Sequence, residues 1–290
     1  MGTKGEEPNK EYSGDAKHGS KNSSKKKSDK WLTVLQYVLI IFLAGVLLTP
    51  FIQNRQFQQR MNKEISEFRE EDRTEEVSKM KENNEDMNKS GQFYMADPFA
   101  GQTKYEDRAN MLGILEIPKI DETLTVYDRT DNMSLSEGVG LLEGTNLPTG
   151  GEGNTTVLTG HDGMAEATIF RNIDLLENGD IFTFDNGEEV LTYQVYDRVD
   201  VLPHETEYIK QIPGQDTMIL LTCDTPDITK GVNTHRLIVY AERIPTVEDK
   251  VKEIEPVTNR DTRHIIFGIS GLALVVGVIG KVTYNKIKKK

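Results

Sequence analysis

The chain has 290 residues and a formal net charge of -12 at pH 7, from 35 Lys and Arg against 47 Asp and Glu, with one cysteine. A single cysteine excludes an intramolecular disulfide and any multi-cysteine zinc or iron–sulfur site. This length accommodates one sizeable folded domain, or two small ones, together with tails.

Two uncharged apolar stretches interrupt an otherwise polar sequence. The first, residues 31–48, has 18 residues; as a helix it would extend about 27 Å, close to the thickness of the bilayer core. The second, residues 265–280, has 16 residues, and it reaches spanning length if Lys281 snorkels. The alternative for the second stretch is a buried core helix. We expect two transmembrane helices, at residues 31–49 and 265–284.

Lysine and arginine counts predict the orientation of both segments, because cytoplasmic flanks carry an excess of these residues. Residues 16–30 contain six lysines, residues 49–64 contain three basic residues, and residues 281–290 contain five lysines. We therefore expect both termini in the cytoplasm, as a disordered tail (1–30) and a basic tail (285–290). A cleaved signal peptide is the alternative for the first segment, but Leu48-Thr49-Pro50 is not a small-residue cleavage site.

The part between the two tails has 22 basic and 42 acidic residues, so nucleic acid is not an expected partner. An apolar stripe at Phe57, Met61, Ile65 and Phe68 predicts a helix in the charged region 53–84. We expect an extracellular stalk helix at residues 50–90 that packs only in part, either as a solvated spacer or as a partner-binding helix. A loop at 91–109 and an acidic linker at 244–264 flank the remaining domain.

Residues 110–243 are predicted to form this domain. Short β-type runs separated by turn residues predict strands at 111–117, 123–127, 155–159, 180–184, 190–202, 217–223 and 235–243. Helical connectors are predicted at 165–176 and 205–211. Seven or eight strands without regular alternation with helices favour an all-β-dominated fold, a closed or nearly closed β-barrel.

The single cysteine, Cys223, ends a predicted strand and precedes a loop that contains Pro226. A buried and inert thiol is the alternative, but an idle free cysteine is unusual outside the cell, and a strand end lies at the rim of a barrel. We therefore predict a reactive thiol. Such a nucleophile needs one group that handles its proton and another that stabilises an oxyanion.

Two histidines and one arginine are candidates for these roles. His161 lies at a predicted strand end between two glycines, and Arg236 lies 13 residues after Cys223. A strand–loop–strand return of that length would bring the start of the last strand back beside the thiol. Neighbouring strand residues point to opposite faces, so His235 and Arg236 cannot both face the thiol. Arg236 is a candidate oxyanion clamp, and these arguments leave the choice of histidine open.

The sequence around these residues resembles the sortase family. Ile219-Leu220-Leu221-Thr222-Cys223 is similar to the signature Thr-Leu-x-Thr-Cys, with isoleucine in place of the first threonine. Thr159-Gly160-His161 and residues 233–237 resemble the other two signatures at the expected spacing. The resemblance covers residues 91–243. It implies an eight-stranded sortase β-barrel in which Cys223 is the nucleophile, His161 the acid and base, and Arg236 the residue that holds substrate and oxyanion.

A finer resemblance is to class C sortases, which polymerise pilins. Residues 138–148 are similar to their region before the histidine, the second membrane segment fits, and Asp97-Pro98-Phe99 resembles their lid. The alternative for Asp97-Pro98-Phe99 is an ordinary turn. Asp162 stands where class C enzymes usually have arginine. The resemblance implies a two-pass membrane enzyme that cleaves an LPxTG-like signal between Thr and Gly and transfers the acyl group to a pilin lysine. We expect no cofactor and no metal.

Three other functions are open on sequence alone. They are a housekeeping sortase that attaches proteins to the cell-wall precursor, a surface cysteine peptidase, and a surface binding module without catalysis.

Overall fold

The computed structural model describes residues 22–91, 93, 107–162, 169–170, 172–227, 232–245 and 254. The chain divides into two compact units, Met1–Leu47 and Leu48–Lys290. The helix α1 (Asn22–Glu70) begins in the first unit, where it exposes Trp31, Leu39 and Ile41. Among the described residues, no helix has both the length and the apolar character needed to cross a membrane. The segment at 31–49 stays a prediction, and residues 265–284 lie outside the described residues.

The predicted stalk is two helices. α1 ends at Glu70, and α2 spans Thr74–Ser90. Between them, the Asp72 carboxylate accepts hydrogen bonds from Thr74 N at 3.1 Å and Thr74 Oγ1 at 2.8 Å. Such local side-chain bonding offers the backbone an alternative to a continuous helix. α2 ends at Gly91, which adopts the left-handed conformation with φ 64° and caps the helix as glycine commonly does.

Both helices pack against the folded domain more completely than the sequence predicted. The stripe residues Phe57, Met61, Ile65 and Phe68 are all buried and belong to the main core cluster. Arg69 adds an ion pair to the barrel residue Glu116, with 2.6 Å between Nη2 and Oε1. The apolar stripe is covered because its partner is the barrel of the same chain.

Eight strands of the described residues form a closed barrel. They are β1 (Met111–Ile117), β2 (Glu122–Tyr127), β3 (Val139–Leu141), β4 (Thr155–Gly160), β5 (Ile181–Asp185), β6 (Val190–Val201), β7 (Thr217–Asp227) and β8 (Val232–Ile244). Their order around the barrel is β1-β2-β3-β4-β7-β8-β6-β5, and β5 pairs with β1 to close it. The pairs β2–β3 and β4–β7 are parallel. The other pairs are antiparallel.

The seven predicted strands are all present, and β3 is the strand that the sequence did not reveal. β3 has three residues with Gly140 at its centre, which is too short for a periodic pattern. A Cβ at Gly140 would lie 2.4 Å from Arg129 O, so glycine is needed where the chain passes this close. The helix α3 (Asn132–Glu137) precedes β3, and short 3₁₀ turns occupy Ile173–Leu175 and Thr206–Tyr208 within the predicted connectors.

Apolar side chains from every strand fill the barrel interior. One fully buried member from each strand in turn is Leu115, Leu124, Val139, Leu158, Phe182, Tyr193, Leu220 and Val239. Burying one such side chain stabilises the fold by about 1.5–3 kcal/mol relative to leaving it exposed. The barrel is therefore a packed scaffold that holds its strand ends in place.

A second apolar cluster lies on the opposite face of the β4–β7–β8 sheet, and we call it the outer cluster. In β7, Met218 and Leu220 point to the interior, whereas Ile219 and Leu221 belong to the outer cluster, as the alternation of side chains along a strand requires. Its members are Leu142, Val157, Val201, Ile209, Ile219, Leu221, Ile238 and Tyr240. Because Ile209 belongs to the loop between β6 and β7 (residues 202–216), that loop lies over the outer face.

Candidate active site

Cys223 and Arg236 lie opposite one another across the β7–β8 pair. Opposed Cα atoms in an antiparallel pair are about 4.5–5.5 Å apart. Alternation along β7 places Cys223 on the same face as Leu221, and alternation along β8 places Arg236 on the same face as Ile238. The thiol and the guanidinium therefore belong to the outer face of the barrel, at one end of the outer cluster.

His161 reaches the same place through the parallel pairing of β4 with β7. Gly160, the last residue of β4, pairs with Thr222, so His161 follows at the level of Cys223. Neighbouring strands lie about 4.8 Å apart. Val157 of β4 belongs to the outer cluster, and continued alternation places His161 on that face too. The three residues that the resemblance selected are thus brought together.

This group of residues lies at the last level of the barrel. β6 ends at Val201, which pairs with Arg236, and β4 ends one residue before this level. β7 and β8 continue beyond it, to Asp227 and from Val232, as a two-stranded ribbon. The prediction that Cys223 ends its strand was wrong, because β8 supplies backbone pairing past that point. The thiol still lies at the barrel edge, since the neighbouring strands end there.

The three side chains are largely sheltered from water. Cys223 is 7% exposed and Arg236 is 9% exposed, and His161 is partly buried. Burial lowers the pKa of His161 below its usual value, because the imidazolium form loses hydration. The neutral ring, which can accept a proton, is therefore favoured, and a proton placed on this ring is readily given up.

The backbone around His161 is held from two sides. Thr222 Oγ1 donates a hydrogen bond to Gly160 O at 2.7 Å, and Phe170 N donates to His161 O at 2.9 Å. A Cβ at Gly160 would lie 2.8 Å from the Phe170 ring, so glycine is required before the histidine. Sequence reasoning did not identify Thr222 or Phe170 as supports of the site. Thr222 could have been found from its position in the strand, because the residue before Cys223 points to the opposite face.

His235 lies on the other face of β8. It opposes Asp224 of β7, and its side chain points away from the face that carries Arg236. The structure therefore supports His161 as the histidine beside the thiol. His204 lies in the exposed part of the β6–β7 loop, and Asp162 is partly buried directly after His161.

The predicted lid residues Asp97, Pro98 and Phe99 lie outside the described residues, so the lid stays a prediction. Two further histidines of the sequence, His18 and His264, also lie outside them. Within the part of the chain that is described, no three or more His, Cys, Asp or Glu side chains are grouped as a metal site.

Two described cavities, of about 340 and 350 Å³, lie against α1 and share Glu64, Glu67 and Arg108 in their linings. Neither lining includes His161, Cys223 or Arg236. The candidate site on the outer face therefore does not coincide with either of these two cavities.

A thiol, an imidazole and a guanidinium on one face form a set suited to nucleophilic acyl transfer. The thiol supplies the nucleophile, the imidazole moves protons, and the guanidinium is a fixed positive charge for a developing oxyanion. Arginine keeps its charge at any physiological pH, so that part of the set does not depend on protonation.

Comparisons with known proteins point to one family. A family model of the sortase domain matches residues 115–244. Sortase A of Streptococcus agalactiae is 26% identical over 222 residues, which is 76% of this chain and 86% of that protein.

Solved structures give the same family. Sortase C-1 from Actinomyces oris shares 35% identity over 59% of this chain and 99% of that one, with a TM-score of 0.52. Sortase C of Streptococcus pneumoniae shares 34% identity over 64% of this chain and 97% of that one, with a TM-score of 0.57. That structure was reported for its insights into catalysis and pilin substrate specificity. The chain belongs to the sortase family of cysteine transpeptidases.

Proposed function

We propose that the protein is a class C, pilin-polymerising sortase. It cleaves an LPxTG-like sorting signal between Thr and Gly and transfers the new acyl group to a lysine amine of another pilin subunit. The observation that carries this proposal is the meeting of Cys223, Arg236 and His161 at one end of the outer face. Similarity to the sortase C structures from Actinomyces oris and Streptococcus pneumoniae supports the pilin role.

In the first half-reaction, the Cys223 thiolate attacks the carbonyl carbon of the signal threonine, and an S–C bond forms. The carbonyl oxygen becomes an oxyanion, which the Arg236 guanidinium stabilises. The C–N bond to glycine then breaks, and the His161 imidazolium gives its proton to the departing amine. The products are a thioacyl enzyme and a peptide with a free amino terminus.

In the second half-reaction, a lysine amine attacks the thioacyl carbon. His161, now neutral, takes a proton from this amine, and the C–S bond breaks to regenerate the Cys223 thiolate. The pilin subunits are then joined by an isopeptide bond. Water in place of the amine would give a free acid, so the outcome depends on which nucleophile reaches the thioester.

The decisive experiment is mass spectrometry of the protein after incubation with a sorting-signal peptide, with and without a lysine-bearing pilin peptide. We expect an acyl adduct on Cys223, and an isopeptide product once the lysine peptide is added. Cys223→Ala is expected to give neither. In a third incubation, with a cell-wall precursor amine, transfer to that amine and not to the lysine peptide would identify a housekeeping sortase instead. Free acid alone would identify a peptidase, and no adduct at all would favour a binding module.

We also propose that residues 31–49 and 265–284 anchor the protein in the cell membrane with both termini inside. The uncharged sequence of residues 31–48 and the lysines that flank the two segments support this arrangement. Because Cys223 is the single cysteine, a membrane-impermeant thiol reagent should label the protein in intact cells. A Ser23→Cys change in a Cys223→Ala background should be labelled only after lysis, and labelling before lysis would reverse the proposed topology.

A further inference from the structure

The position of His161 at the level of Cys223 depends on the register of a parallel strand pair. β4 ends at Gly160, and the chain returns beside it only when β7 begins at Thr217. A parallel pair has no hairpin turn to set its register, and a slip by one residue would move every side chain to the other face. Some other part of the structure must therefore fix these two strands against each other.

Contacts at the starts of the two strands tie their loops together. Thr155 opens β4 and pairs with Thr217, whose N–H donates to Asn154 O at 2.9 Å. Ile212 N, from the β6–β7 loop, donates to Thr155 Oγ1 at 3.1 Å. The loop before β4 (residues 142–154) and the loop before β7 are therefore joined where the strands begin.

Asn84 of α2 attaches the helix to the first of these loops. Its Nδ2 donates to Leu147 O at 2.8 Å and to Thr149 Oγ1 at 2.9 Å. Its Oδ1 accepts from Leu147 N at 2.8 Å. The side chain is only 4% exposed, and both ends of its amide are used on a single loop.

Asn88 attaches the helix to both loops through one oxygen atom. Its Oδ1 accepts from Asn146 Nδ2 at 3.0 Å and from Gln211 Nε2 at 2.7 Å. Asn146 in turn accepts from Thr155 N through its Oδ1 at 3.0 Å. The Asn146 side chain therefore connects Asn88 of α2 to Thr155, the first residue of β4. Gln211 connects Asn88 Oδ1 to the loop before β7.

Asn84 and Asn88 are four residues apart and lie on one face of the helix. The Asn84 amide is buried and bonded through both its oxygen and its nitrogen, and the half-buried Asn88 joins both loops through its oxygen. Polar contacts of this kind specify one arrangement of the groups that they join. β4 and the paired part of β7 are each about 20 Å long, and both strands are packed into the core. A fixed register at their starts is therefore transmitted to their ends.

We propose that Asn84 and Asn88 are positioning residues for the transpeptidase reaction. They fix the register of β4 against β7 from the ends opposite to the active site, and so set the separation of His161 and Cys223. The helix that the sequence presented as a stalk is then part of the catalytic unit, although it touches no reacting atom.

The test uses four variants of the full-length chain. Asn88→Ala removes the shared acceptor, whereas Asn88→Asp keeps an acceptor oxygen at the same place. Asn83→Ala is the matched control, because Asn83 is exposed on the same helix and the change in helix propensity is the same. Gln211→Ala removes the bridge from the loop side and serves if Asn88→Ala does not fold.

Two measurements are made per thiol on protein isolated as the folded monomer by size exclusion, because an unfolded chain carries the same thiol. The first is kcat and KM with a sorting-signal peptide, which rests on the proposed function. The second is the rate at which a small reagent alkylates Cys223, which needs no substrate and reports on the thiol–imidazole pair. If the parent protein does not cleave the peptide, but alkylation is slower in Asn88→Ala than in the parent, the proposed sorting signal is wrong and this inference still holds.

For Asn88→Ala and Gln211→Ala we expect kcat to fall about tenfold, since small displacements of reacting groups cost this much or more. KM should stay within about twofold, because ground-state binding is not the target, and alkylation should slow in parallel. Asn88→Asp and Asn83→Ala should match the parent. Unchanged kcat and alkylation per thiol in Asn88→Ala, with only a lower Tm, would overturn the proposal, and so would an equal loss in Asn88→Asp.

Discussion

Arg236 is paired directly with Cys223 across β7 and β8, and both side chains belong to the outer face of the barrel. His235, its neighbour in sequence, points to the other face. The rest of the site is arranged around this pair, because β4 brings His161 to the same level.

The pairing gives a prediction for two adjacent residues of β8. Arg236→Lys keeps the charge but loses the planar fork of donors, and we expect kcat/KM to fall about a hundredfold, as when an oxyanion donor is removed. His235→Gln should keep kcat/KM near the parental value because this side chain is on the opposite face. Steady-state kinetics with a sorting-signal peptide measure both. Similar losses in the two variants would show that Arg236 has no special part in the reaction.

Gly160 is predicted to be essential for the position of His161. In Gly160→Ala, the new Cβ would lie 2.8 Å from the Phe170 ring, and we expect a loss of about 1–3 kcal/mol in the free energy of unfolding from overpacking. The rate of peptide cleavage should fall as well, since the strained residue precedes the histidine. Urea denaturation and cleavage assays measure these effects. Adding Phe170→Leu to Gly160→Ala should recover part of the free energy of unfolding and part of the cleavage rate. No recovery would show that the clash is not with the Phe170 ring.

The rate of the reaction should depend on pH in a bell-shaped way. The reactive pair consists of an ionised Cys223 and a protonated His161, so its fraction is greatest between the pKa values of the two groups. With the pKa of His161 as the lower of the two, the acid limb of kcat/KM has its midpoint at that pKa. Burial lowers that pKa, so the acid midpoint should lie below about 6.5. A midpoint above that value, or a profile without an acid limb, would count against His161 as the titrating group.

A buried pair at the other end of β7 predicts a pH-dependent stability change. Tyr193 Oη donates to Asp216 Oδ1 at 3.0 Å, and burial raises the pKa of Asp216 while this hydrogen bond opposes the rise. Because the pKa of Asp216 is higher in the folded chain than in the unfolded chain, the stability that its protonated form contributes is fully present below the unfolded pKa. This contribution is lost as the pH rises through the folded pKa. Tyr193→Phe should therefore destabilise the fold by about 1 kcal/mol at about pH 7, and by less at about pH 4.

The control for this change is Tyr196→Phe, because Tyr196 is 38% exposed. Its free energy of unfolding should stay within about 0.5 kcal/mol of the parent. Urea denaturation at both pH values provides the comparison. An effect of Tyr193→Phe that is the same at the two pH values would remove Asp216 from the explanation.

The predicted lid is tested through the thiol that it would cover. If Asp97-Pro98-Phe99 occupies the active site, Asp97→Ala should speed the alkylation of Cys223 by a small reagent. A closed form favoured by about 2.7 kcal/mol corresponds to an effect of about a hundredfold. Identical alkylation rates in the variant and the parent would assign Asp97-Pro98-Phe99 to an ordinary turn.

Local sequence patterns were enough for most of the barrel. Alternating runs such as residues 191–196, separated by turn residues, predicted seven of the eight strands, because side-chain alternation is a property of each strand by itself. β3 was missed because three residues around Gly140 carry no period. The lengths of β7 and β8 were underestimated because the pairing beyond Cys223 comes from the partner strand and not from residue type.

In the stalk region, the sequence predicted less packing than the structure has. The stripe at Phe57, Met61, Ile65 and Phe68 was visible in the sequence, but the surface that covers it was not. The stalk was predicted as one helix, and the break at Asp72 was not predicted. The packing of α2 through Asn84 and Asn88 depends on loops far along the chain. Contacts of this kind leave no periodic signal.

The sequence by itself determined the candidate chemistry of this protein: one cysteine, one histidine beside glycines and one arginine in sortase-like motifs, within a β-rich domain. It also determined that His235 and Arg236 face opposite ways, since strand alternation is local. Only the tertiary structure decided that Arg236 faces the thiol, that His161 lies at the same level, and that all three belong to the outer face. The physical reason is that parallel pairing of β4 with β7 and closure of the barrel join residues that are distant in the chain, and no local preference encodes that register.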